Sequence, residues 1–344
     1  MARERGSDDA PAPAEGAAGG SPGLLRSAPL LSGPGGSESL TTVLVALAAN
    51  VLIAVAKSAA AAVTGSASLV AEAAHSWADT GNEIFLLIAN RRAGRPPDRA
   101  HPFGHGREAY VWSLFAALGL FVAGAAVSVT YGILELARPE PASYFAVGYV
   151  VLAVSFVFEG ISFRQSVRQA RAEAEVMQRD LIEHVLATSD PTLRAVFAED
   201  SAALAGLVIA AIGLGAHQLT GSVVPDAVGS ILVGALLAVV AVVLINRNRR
   251  SLVGEEADPR VRAAAVQALL DAPEVSRVTY LRLEIVGPRM VLLVAAVDLT
   301  GDDTESALAV RLRALEARIS ASPAVAGTVL TLSAPDDPAL APGA

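Results

Sequence analysis

Residues 69–90 read LVAEAAHSWADTGNEIFLLIAN, and the fold turns on how this stretch is read. A helix crossing a bilayer needs about 20 mostly apolar residues, and this one is long enough, yet it carries Glu72, His75, Asp79 and Glu83. At about 100° per residue these four fall on one narrow helix face. A charged side chain at mid-membrane costs roughly 2.5–3.5 kcal/mol on insertion scales, so a stripe of them will not face lipid. The stretch predicts a helix inside a bundle, its stripe turned to a wet cavity, to an ion, or to hydrogen-bond partners on other helices.

The flanking sequence supplies the bundle. The chain is 53% hydrophobic and only 17% charged, with mean hydropathy +0.49, too little charge for a soluble surface of this length. Its Ala, Val, Leu and Ile fall in long runs that predict spans at 41–63, 69–90, 110–137, 145–163, 192–214 and 224–245. A polar, helix-prone segment at 164–190 separates the fourth and fifth. Arg91, Arg92, Arg95, Arg99 and Arg107 follow span two, Arg164, Arg168, Arg171 and Arg179 follow span four, and Arg247, Arg249 and Arg250 follow span six. The other connections hold only Arg138. The positive-inside rule then places both termini in the cytoplasm of a multi-pass cell (inner) membrane protein, which an even number of spans satisfies.

The sequence divides into a disordered tail at 1–36, rich in Ala, Gly and Pro, a transport domain at 37–250, a small domain at 251–334 and a tail at 335–344. In the small domain, helix patterns at 259–270 and 304–319 and strand patterns at 275–283, 290–298 and 325–332 give the order α-β-β-α-β, with Gly287-Pro288 at a turn. That order suggests a ferredoxin-like α+β domain. The expected fold is thus an α-helical membrane protein of six transmembrane helices followed by a small ferredoxin-like α+β cytoplasmic domain.

Composition also excludes functions. The net charge is -8 and no basic patch carries interleaved aromatics, so nucleic acid is not an expected partner. No Walker pattern supports nucleotide binding, and no organic cofactor is expected. With no cysteine, a metal site must use His, Asp, Glu or other oxygen donors.

Three groups offer such donors. His75 and Asp79, four apart on one face, can present a nitrogen and a carboxylate to one ion, which suits zinc and similar divalent metals. Span five begins VFAEDSAALAGL, with Glu199 and Asp200 adjacent in an apolar run. They point about 100° apart, and Asp200 is the one expected to share a cavity with His75. Glu199 is then a ligand, a proton carrier or an outer partner, unless both simply sit at a helix start favoured by its dipole. The loop PPDRAHPFGHGRE at 96–108 brings Asp98, His101 and His105 close enough to gather a second metal, unless it is a solvated connector. Elsewhere Asp226 reads as the cap of span six, Glu159 as buried in span four, Asn50 and Lys57 as facing the bundle interior, and His184 and His217 as loop residues. The small domain has neither His nor Cys.

These residues resemble the cation diffusion facilitators, proton-coupled exporters of divalent metals. The resemblance runs from about residue 40 to 332 and is carried by GSASLVAEAAHSWADTGNE, HPFGHG and EDSAALAGL. Glu159-Gly160, SDPTLRAVFAED and LVGEEADP are similar to the branch that holds the mitochondrial zinc transporter nine and bacterial relatives. It implies a homodimer that exchanges Zn²⁺ for protons, with His75, Asp79 and Asp200 at the central site. Val196 stands where many members have a second histidine, which leaves the fourth ligand to Glu199 or water. The resemblance matches Asp98, His101 and His105 to the second, loop site. A metal site between cytoplasmic domains is not expected, because the histidines it uses are missing. Mn²⁺, Fe²⁺, Co²⁺ or Ni²⁺ as the main substrate, a metal sensor, and a membrane metalloenzyme remain as alternatives.

Overall fold

The computed structural model describes residues 40–139 and 142–341, with side chains from Leu47 onward. The expected tail at 1–36 lies outside the described residues. Helices α1 (Leu40–Thr64) and α2 (Ala67–Ala93) form the first hairpin. The third span is one rod in three parts: α3 (Glu108–Gly119), a π-helical turn (Leu120–Ala126) and α4 (Val127–Ala137). Then come α5 (Phe145–Val176), the short α6 (Leu181–Ala187), α7 (Pro191–Thr220) and α8 (Val224–Val253).

Five of these rods are long and apolar enough to cross a membrane: the latter part of α1, α3 through α4, α5, α7 and α8. The expectation of six apolar spans is therefore met for five. α2, with 27 residues, is long enough, at roughly 1.5 Å per residue, but its acidic stripe keeps it below the apolar threshold. Its packing explains how the stripe is tolerated: α2 touches α1, α3, the π-helical turn, α4, α7 and α8, and so lies at the centre of the bundle. The outer faces of its neighbours expose Leu52, Val150, Ile212 and Val239, apolar surface suited to lipid.

The polar segment after span four does not end that helix. α5 continues unbroken to Val176, because its Arg, Gln, Glu and Ala residues are good helix formers even where they are poor membrane residues. α7 starts where the sequence places it, at Pro191 after the N-cap Asp190, whose carboxylate accepts from Thr192 and Leu193 N–H.

Beyond Gly254 the expected α-β-β-α-β order forms: α9 (Pro259–Leu270), β1 (Val275–Gly287), β2 (Met290–Leu299), α10 (Glu305–Ser320) and β3 (Val325–Leu332). The sheet has the order β1-β2-β3, with β1 and β2 antiparallel and β2 and β3 parallel. Its core of Leu269, Val278, Leu283, Leu293, Leu315 and Ile319 also takes in Tyr110 of α3. The end of the chain, expected as a tail, lies against β1: Leu340 N–H bonds to Val278 C=O, and Arg277 donates to the carbonyls of Ala334 and Asp337.

The small domain is pinned to the bundle by the β1–β2 turn. Arg289 adopts a left-handed φ of 57°, a conformation that costs a residue with a side chain roughly 1–2 kcal/mol. Its contacts offset this: its N–H bonds to Ser189 Oγ at 3.1 Å, and its guanidinium sits 2.8 Å from Glu173 and 3.3 Å from Asp190. Beside it, a Cβ at Gly106 would lie 2.7 Å from Val286 O and 2.8 Å from Gly287 Cα, so the chain is in backbone contact there. Arg107 of the same loop pairs with Glu284.

Candidate metal centre

A cavity of about 300 Å³ lies between α1, α2, α5 and α7, in the half of the bundle nearer the small domain. Asp79, Asn82 and Glu83 of α2 enter it, spaced by helical turns, with Asn50 of α1, Glu159 and Ser162 of α5, and Glu199 and Asp200 of α7. Val196 is on its wall, the position where a further donor would stand. His75 lies one turn behind Asp79 on α2, fully buried, its Nε2 3.5 Å from Asp79 Oδ2.

Most of these groups are incompletely satisfied. Both ring nitrogens of His75, Asp79 Oδ1, Asn82 Oδ1, Glu83 Oε2 and Glu199 Oε1 are buried and have no hydrogen-bond partner. Buried polar atoms nearly always find partners, and an orphaned one costs about 1–3 kcal/mol, more when charged. These orphaned atoms are clustered on two facing helices, α2 and α7. The donors are not closed around one point, however. Among the described residues, only Asp98, His101 and His105 bring three such ligand atoms within 4.8 Å of one another.

The adjacent pair on α7 divides its work. Glu199 turns to α2, where its Oε2 accepts from Asn82 Nδ2, while Asp200 turns to α5 and accepts from Ser162 Oγ at 3.1 and 3.2 Å. Both line the cavity, but Glu199 is the one held against the His75–Asp79 helix. Asn82 was not singled out from the sequence. Its place three residues after Asp79, on the stripe of α2, was the available signal.

Above the cavity, away from the small domain, lie an ion pair and a helix cap. Lys57 of α1 is fully buried, 3.0 Å from Glu72 Oε2 and 3.8 Å from Glu159 Oε1. Asp226 does not cap its own helix, as the sequence suggests. It accepts from Ala67 N–H at 2.7 Å, from Ser66 Oγ at 3.0 Å and from Ser68 Oγ, and so caps the start of α2 from across the bundle.

The loop between α2 and α3 forms the second cluster. Asp98 Oδ1 accepts from Ala100 and His101 N–H at 2.8 and 2.7 Å, which folds the loop on itself. The same carboxylate reaches His101 Nδ1 at 3.2 Å and His105 Nε2 at 3.1 Å. The two rings lie 4.0 Å apart between centroids. Hydrogen bonds from His101 N–H and the His105 ring hold the Asp98 carboxyl down at about 2.

The two remaining histidines are not loop residues. His184 is buried on α6 with Nε2 3.5 Å from Glu173, and His217 is buried on α7, edge-on to Phe145 and accepting from Ala142 N–H. Both sit where a helix meets a neighbouring element, which isolated sequence context does not show.

The family model described as the cation efflux transmembrane domain matches residues 43–253. A protein of Arabidopsis thaliana named metal tolerance protein C4 is 36% identical over 236 residues, 68% of this chain and 51% of its own length. The mitochondrial proton-coupled zinc antiporter SLC30A9 of Xenopus laevis is 34% identical over 238 residues, 69% of this chain and 43% of its own length. The cation-efflux pump FieF of Klebsiella pneumoniae is 35% identical over 95 residues, 27% of this chain and 31% of its own length. The chain thus spans about half the length of the first two relatives.

Proposed function

Because this chain belongs to the cation efflux family, a family of multi-pass membrane transporters and not of enzymes, we propose that it is a homodimeric antiporter that exports divalent metal, foremost Zn²⁺, in exchange for protons. The observation that carries this is the set of orphaned donors His75, Asp79 and Glu199 beside one intramembrane cavity. An ion entering from the side of the small domain is drawn between α2 and α7, where His75, Asp79 and Glu199 close on it with Asp200 at the wall. Closing and reopening toward the opposite side is a rocking of helices around a fixed mid-membrane site. The same ligands bind metal or protons, not both at once, which couples the two fluxes. Asp98, His101 and His105 take a second ion at the cytoplasmic mouth. Six spans with both termini on the cytoplasmic side are supported by the side on which the loop arginines gather.

Zn²⁺ is supported by His75 and by the similarity to the zinc antiporter SLC30A9. A second reading, Mn²⁺ or Fe²⁺, is favoured by the cavity's own lining, which offers carboxylates, amides and hydroxyls, with the single imidazole of His75 behind it and Val196 on the wall. The test is metal-driven proton flux in vesicles with Zn²⁺, Mn²⁺, Fe²⁺, Co²⁺ and Ni²⁺ in turn. Flux is expected in the wild type and lost in His75→Ala and Asp79→Ala. Flux surviving in both variants sinks the proposed site.

A further inference from the structure

We propose that Lys57 is a tethered stand-in for the transported ion, a resident cation that moves toward Glu159 when the metal leaves and gives way when metal returns. This rests on the transport reading above.

The geometry is asymmetric in a telling way. Lys57 Nζ donates to Glu72 Oε2 at 3.0 Å, a full hydrogen bond, but stands 3.8 Å from Glu159 Oε1, a charge contact only. Glu72 is fixed. It is fully buried off the cavity, and its Oε1 rests against the backbone of Gly206 on α7, where a Cβ would collide with it. Glu159 is free to respond, being on the cavity wall and partly exposed. Lys57 is therefore anchored on its blind side and leans toward the site.

The charge balance gives the lean a purpose. Asp79, Glu83, Glu159, Glu199 and Asp200 line the cavity, and among the described residues no Lys or Arg lines it. When metal leaves, and before protons take its place, any of these carboxylates that are still ionised repel one another in a medium of low dielectric. Among the described residues the Lys57 ammonium is the side-chain cation in contact with a carboxylate of the cavity wall, and its stem on α1 keeps it from leaving. A purely structural tie between α1 and α2 would be complete with Glu72 alone.

The two sides of the lysine predict opposite effects. In Lys57→Met/Glu72→Gln the competing cation is gone and a buried ion pair is replaced by neutral groups of similar size, an exchange that folds generally tolerate. Metal affinity, measured by titrating Zn²⁺ into purified protein in detergent, is expected to tighten about tenfold. Turnover in proteoliposomes should fall by a similar factor, because the metal must leave before protons arrive with no ammonium beside the site. In Glu72→Gln alone the anchor is cut, Lys57 shifts to Glu159, and affinity should weaken several-fold. A tie that only holds helices together predicts lower stability in both with unchanged Kd. Kd values within twofold of wild type in the variants, with wild type transporting, overturn this proposal alone. Should the double variant not fold, Glu72→Gln decides by the same criterion. Wild type that neither binds nor moves any divalent ion overturns the transport reading and this one with it.

Discussion

Two aspartates on the bundle's polar interior make a useful contrast. Asp226, at the end away from the small domain, accepts from two serine hydroxyls and a backbone N–H that begins α2. Asp79, on the same α2 helix's other half, has a buried Oδ1 with no hydrogen-bond partner and a histidine at 3.5 Å. Both are carboxylates enclosed by apolar helices. The first has its donors supplied by the fold, and the second has them withheld. A buried carboxylate surrounded by donors holds the structure together, whereas one with an open lone pair still has room to accept a cation.

The contrast breaks most visibly at Asp79. Asp79→Asn should reduce metal transport by more than about 100-fold, beyond what losing an outer partner costs, while thermal stability in detergent holds or rises, because an unsatisfied buried charge is removed. A variant that loses both together would make Asp79 structural and erase the distinction. Asp226→Ala is the mirror experiment. It leaves the Ala67 N–H unpaired and takes the strongest acceptor from both serines, and should destabilise the protein by about 1–3 kcal/mol in denaturant unfolding, with the Kd for metal within about twofold of wild type. The α7 pair sharpens the comparison further: Glu199→Gln should weaken metal binding about tenfold, Asp200→Asn less, since Asp200 is already served by Ser162. Equal losses would mean the two share the ion.

The smallest effect is one of pH, in the loop. The Asp98 carboxyl titrates at about 2 in the fold against an ordinary 3.8. A lowered value means the loop is stabilised above pH 3.8, and that support is lost only as pH falls through about 2. Amide exchange at Ala100 and His101 should therefore stay protected down to about pH 4 in wild type and be lost at neutral pH in Asp98→Ala. Equal protection in the two would show that the turn holds without the carboxylate.

Much of this was legible in the residues, for reasons that also mark the limit. The stripe Glu72, His75, Asp79, Glu83 has a helical period, and its cost in lipid forces α2 inward whatever surrounds it. The boundaries of α9 and β3 follow local pattern. What depended on distant partners was not legible. Glu199 and Asp200 differ only by one helical step, so which of them meets α2 depends on the rotation of α7, set by packing along its whole length. Asp226 looks like a cap for its own helix in sequence, but folding lays the start of α2 beside it, and the exposed N–H groups there compete for it successfully. The run after Phe163 loses hydropathy without losing helix propensity, so the span and the helix α5 end in different places.

The backbone contact between Gly106 and Gly287 makes the small domain an indicator needle for the membrane. With no side chain between them to deform, a tilt of α3 reaches the sheet without slack, and the Arg289 clamp on Glu173 and Asp190 does the same for α5 and α7. A dye placed at the solvent-facing Tyr280 or Val310 therefore reports, from water, how the buried helices are standing.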